Sequence, residues 1–184
     1  MAFDPTKYGP DVARMLALDG NGQRVMPLKP SPCTNEEARQ LLKTFKPRDL
    51  FPNQEEPEAP MAGLYLYFSC FEEAHQLLEY CETPEGELWH AILHRREADT
   101  GNAAYWFRKA GPHPTFSLLT RAAVKVLHRI RDAEFRTGRW DPFAFAAFCD
   151  RARKQPASAQ MKAAMEIQLV EWQILFDYCA RLSQ

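Results

Sequence analysis

The stretch Trp89-His90-Ala91-Ile92-Leu93-His94-Arg95-Arg96-Glu97-Ala98-Asp99-Thr100-Gly101-Asn102-Ala103-Ala104-Tyr105-Trp106-Phe107-Arg108-Lys109-Ala110-Gly111-Pro112-His113-Pro114 decides the fold. It reads as helix, turn, helix, stop. Thr83-Pro84 caps a helix that runs to about Ala98. A Thr side chain accepts from the orphan N–H groups of a first turn, and Pro fits the first helical position. Thr100-Gly101 makes the turn, Asn102 caps a shorter helix to Ala110, and Gly111 ends it. Pro112-His113-Pro114 is a rigid connector, because each Pro fixes φ and removes a donor. So short a connection between two helices makes them antiparallel neighbours.

The same signals recur on both sides. Pro10-Asp11 opens a helix that Asp19-Gly20-Asn21-Gly22 closes. Thr34-Asn35-Glu36-Glu37 is a capping box for a helix to about Thr44. Residues 61–80 read as helical, in two pieces, because Ser69-Cys70-Phe71-Glu72 is a second capping pattern. Further helices are expected over about 115–136, 142–154 and 158–182. The expectation is an all-α bundle of antiparallel helical hairpins, roughly seven or eight helices. Pro47, Pro52, Pro57 and Pro60 mark a loop that divides the chain. Residues 1–60 then form an N-terminal arm packed on a helical body, 61–184.

Composition agrees. Of 184 residues, 46% are hydrophobic and 26% charged, the balance of a chain able to bury a core without staples. Ala and Leu outnumber the β-branched Val and Ile, which favours helix over strand. The formal net charge of −1 gives no global case for nucleic acid. Residues 35–99 lean acidic and 108–154 basic, so the two halves are expected to neutralise each other where they pack. Five widely spaced cysteines without a C-x-x-C pattern argue against a zinc knuckle and a disulfide framework. Most of them read as buried thiols, in a reducing, cytoplasmic setting. No signal-peptide pattern or membrane-length apolar run is present.

The segment from Ala91 to Ala110 resembles a tetratricopeptide-type hairpin, with a fainter echo over residues 64–83 around Phe71-Glu72-Glu73-Ala74. Residues 89–114 also resemble the signature of a family of uncharacterised all-helical bacterial proteins. That resemblance implies a fold and a region to inspect, and carries no chemistry with it.

Three functional expectations follow from this region. On a helical wheel His90, His94 and Glu97 share a sector about 60° wide. Two imidazoles and a carboxylate so disposed suit one divalent metal ion, with His113 folding back as a further ligand. That would make a metal-dependent or histidine-based enzyme, although the adjacent base of H-E-x-x-H is missing. By contrast, Arg95, Arg96 and Asp99 fall in or beside the apolar sector, where a charge must be paired or belong to a pocket. With Tyr105, Arg108 and His113 they suit a groove for an acidic peptide or a small anionic ligand. A helical binding module with its site around residues 89–114 is therefore the leading expectation, and the metal-dependent or histidine-based enzyme is the alternative. The third expectation is a structural role, such as a homo-oligomer held by exposed Trp172 and Phe176.

Overall fold

A computed structural model describes residues 3–130, 133, 135, 136 and 138–181. Among these residues the chain is all helical, with ten α-helices: α1 (Pro10–Ala17), α2 (Glu36–Lys43), α3 (Pro47–Leu50), α4 (Glu58–Tyr67), α5 (Phe71–Leu78), α6 (Pro84–Arg96), α7 (Thr100–Ala110), α8 (Phe116–Arg129), α9 (Pro142–Arg153) and α10 (Ala159–Ala180). Short 3-10 turns stand at Pro5–Tyr8 and Gly20–Gly22.

Most caps fall at or beside the residues the sequence suggests, but the pattern at Ser69-Cys70-Phe71-Glu72 supplies none, since Cys70 precedes α5 without a side-chain cap bond. Asn35 accepts from the Ala38 N–H, Thr83 from Gly86, Asp141 from Phe143 and Ala144, and Ser158 from Met161. At α7 the cap is Asp99 rather than Asn102, and it accepts from both the backbone and side chain of Asn102. The two pieces expected over 61–80 are α4 and α5, broken at Ser69, whose φ is +61°. The division at residue 60 falls inside α4, and the Pro-rich loop holds the extra helix α3.

α6 and α7 form the most extensive helix pair, the antiparallel hairpin expected from residues 89–114. α6 lies at the centre of the molecule, and every residue from Gly86 to Arg96 is buried. The 22-residue α10 runs past two cores. The first gathers Tyr8, Val12 and Leu16 of the arm with Tyr67, Trp89, Trp172 and Phe176. The arm therefore packs on its own body, and the Tyr8 hydroxyl donates to Asp177 at 2.9 Å. The second core holds Leu119, Phe135, Trp140, Phe145 and Phe148.

Several expectations need correction. α8 ends at Arg129, short of residue 136, because Ile130 is extended and Ile130, Ala133 and Phe135 turn inward against the second core. Arg131, counted in the basic stretch, and the expected end of the last helix at 182 lie outside the described residues. Trp172 and Phe176 are fully buried, so they form no exposed patch for a second copy. Cys33 and Cys70 are joined as a disulfide, where the sequence argued against a disulfide framework. Folding brings together cysteines 37 positions apart, beside a backbone bond from the Thr34 N–H to the Phe68 carbonyl. Cys81, Cys149 and Cys179 are buried and free. No helix of the described residues is long and apolar enough to cross a membrane.

Candidate metal centre

The i, i+4 spacing on α6 sets His90 and His94 one above the other, with rings stacked 5.1 Å apart. α5 runs back against α6 and supplies a third imidazole. His75 meets His90 edge-on at 4.8 Å and His94 at 5.6 Å. One nitrogen from each of His75, His90 and His94 lies within 4.8 Å of the other two. His90 and His94 are buried, while His75 is half-buried. Trp106 of α7 stacks on His90 at 3.9 Å and covers that side of the cluster. The Lys109 ammonium lies over the Trp106 ring at 4.9 Å and pairs with Glu87 at 3.1 Å.

The environment keeps the two buried imidazoles neutral. Burial, then the neighbouring His94, His75 and Lys109, pushes His90 down to about 3. Burial also holds His94 below the ordinary histidine range, against the opposing pull of the Glu97 carboxylate. Neutral imidazole is the form that ligates a metal. The His90 Nδ1 is buried without a hydrogen-bond partner. Such orphaned polar atoms are rare in folded proteins.

Glu97 sits behind His94. Its Oε2 lies 3.0 Å from Nδ1, so the Nδ1–H donates to the carboxylate and Nε2 is left with its lone pair. This is the carboxylate–histidine arrangement that fixes the tautomer of metal-bound histidines. Glu97 was expected among the ligands, but its carboxylate is bonded to His94 and stands outside the three-histidine cluster. His113 is elsewhere. Its Nδ1 accepts from the Thr115 hydroxyl at 2.7 Å, and its Nε2–H donates to Glu85 at 3.1 Å.

The expected arginine groove is not assembled. Arg95 is 2% exposed and Arg96 1%. Both terminal guanidinium nitrogens of Arg95 bond the Glu171 carboxylate, and its charged plane lies 4.6 Å over the Phe145 ring. Arg96 donates to the Leu66 carbonyl at 2.5 Å and the Ser69 hydroxyl at 3.0 Å, closing the C-terminal end of α4. Asp99 is consumed as the α7 cap. Tyr105 is 54% exposed, and Arg108 lies 6.0 Å from the exposed Phe143 ring. These groups face different surroundings and form no common pocket.

His75 is the residue the sequence reading missed. The signal was available once 61–80 is split in two. In an antiparallel hairpin that turns between Leu78 and Pro84, position 75 falls within about one helical turn of the first histidine of α6.

No protein-family model, no curated protein and no solved structure matches this chain.

Proposed function

We propose that this protein is a metalloprotein that holds a divalent transition-metal ion on His75, His90 and His94. The observation that carries the reading is the convergence of three imidazole nitrogens from two helices within 4.8 Å. Imidazole is a ligand type suited to zinc, copper and nickel. Nitrogens bond zinc at about 2.0–2.1 Å, so binding draws the three rings inward. Further support comes from the orphaned Nδ1 of His90 and from the Glu97 carboxylate behind His94. The metal-dependent chemistry expected from the sequence keeps His90 and His94, gains His75, and gives Glu97 an orienting role. An ion here ties α5 to α6, so binding and stability are linked.

Chelator-treated, tag-free protein is unfolded thermally with and without Zn²⁺, Ni²⁺ or Co²⁺. A ligand that binds only the folded state at 100 times its Kd stabilises it by about 2.7 kcal/mol. The expected result is a higher melting temperature with at least one ion. His75→Gln removes that rise and leaves the metal-free protein folded, because His75 is half-buried. His128→Ala, on the exposed face of α8, retains the rise. No stabilisation by any of the three ions, or an equal rise in His75→Gln, overturns the reading.

A further inference from the structure

We infer that the metal-loaded centre is a receptor for a small oxyanion, a carboxylate or a phosphate, at a coordination position the protein leaves open. The inference rests on the metal reading above. Three observations lead to it.

The first is the ligand count. Among the described residues the cluster offers three ligand atoms, all from imidazoles. Zinc-class ions take at least four ligands, and three protein donors plus one exchangeable group is the arrangement of sites that accept an outside molecule.

The second is charge. Three neutral imidazoles leave the two positive charges of the ion uncompensated. The Glu97 carboxylate accepts from the Nδ1–H of His94 and is engaged behind the ligand. Lys109 adds positive charge on the Trp106 side, offset by its pairing with Glu87. In a site with two of its three ligands buried, an uncompensated dication attracts an anion strongly, because little water screens it.

The third is access. His90 and His94 are buried and Trp106 covers His90, whereas His75 is half-exposed. A small solute therefore reaches the ion past His75. A bulky one is limited by Trp106 and by the tight packing of α6. The arginines that looked like an anion clamp in the sequence are committed to internal bonds. The positive charge for an anion comes from the ion instead.

The test uses the full chain, cleared of metal and loaded with one equivalent of Co²⁺, whose visible bands report coordination. The bands are expected to appear, to be lost in His75→Gln, and to change saturably when sodium acetate or inorganic phosphate is added. Glu97→Gln should still respond to the anions. If the Co²⁺ bands form but neither acetate nor phosphate moves them, the inference fails while the metal reading stands. If the bands respond only in Glu97→Ala, the carboxylate fills the open position and the inference also fails. If Co²⁺ neither gives bands nor stabilises the fold, both readings fall. Far-ultraviolet circular dichroism of each variant separates loss of a ligand from loss of folding.

Discussion

Arg95 brings a guanidinium into the centre of the molecule, where an unpaired charge is unaffordable. Glu171 of α10 meets it with both carboxylate oxygens, and the Phe145 ring covers its face. Desolvation of such a pair offsets much of its attraction, so breaking it costs more than removing it. Glu171→Leu is expected to destabilise the fold by about 3–5 kcal/mol. The double variant Arg95→Met/Glu171→Leu should recover most of that loss. Urea denaturation of both variants checks this, and a single variant that loses under ~1 kcal/mol would show the pair to be dispensable. The helical wheel foresaw that Arg95 falls in an apolar sector. It could not name Glu171, which lies 76 positions away.

At the scale of elements, helix packing turns on small residues at close crossings. α4 carries Gly63 in its interior, normally worth about 1 kcal/mol less than Ala in a helix. Its place is set by α6 and α10. A Cβ here would stand 2.8 Å from the Trp89 ring and 3.3 Å from Phe176, and the Gly63 carbonyl accepts from the Trp172 indole N–H at 2.7 Å. These rings are fully buried and have no room to withdraw. Gly63→Ala is therefore expected to lower stability by about 1–2 kcal/mol despite its better helix propensity, since overpacking a core costs roughly 1–3 kcal/mol. The melting temperature reports it, and an unchanged or raised value would mean that the crossing can open. Helix starts were legible from Asn35, Thr83, Asp141 and Ser158, because a cap is a local bond. The end of α8 was not, because burial of Ile130 and Phe135 stops it, with no helix breaker at that point.

At the scale of the whole molecule, charge links parts that the chain order separates. Lys109 with Glu87 joins the basic stretch to the acidic one, while Arg129 turns to Glu166 of α10. Glu85 and His113 tie the start of α6 to the connector after α7. The hydrogen bond from His113 holds the Glu85 carboxyl below its ordinary value of 4.5, against the opposing effect of burial. A carboxylate whose folded pKa is depressed adds stability above its unfolded pKa and loses it as pH falls through the folded one. The gap in stability between the native chain and Glu85→Gln should thus be full at pH 7 and close progressively below about pH 4. Denaturant melts across that range check it, and a gap that persists at pH 2 would assign the effect to packing instead of charge.

The sequence by itself determined most of the helices, the caps at Thr83, Asp141 and Ser158, the α6–α7 hairpin and the shared face of His90 and His94. These are set by neighbours up to four positions away, through backbone geometry and capping bonds. Only the tertiary structure decided that His75 completes the cluster, that Glu97 stands behind His94, and that His113 leaves for Glu85. It likewise internalised Arg95 and Arg96 and joined Cys33 to Cys70. Those outcomes depend on which helix faces pack together, and that choice is made by burial over the whole chain, where no local periodicity records it.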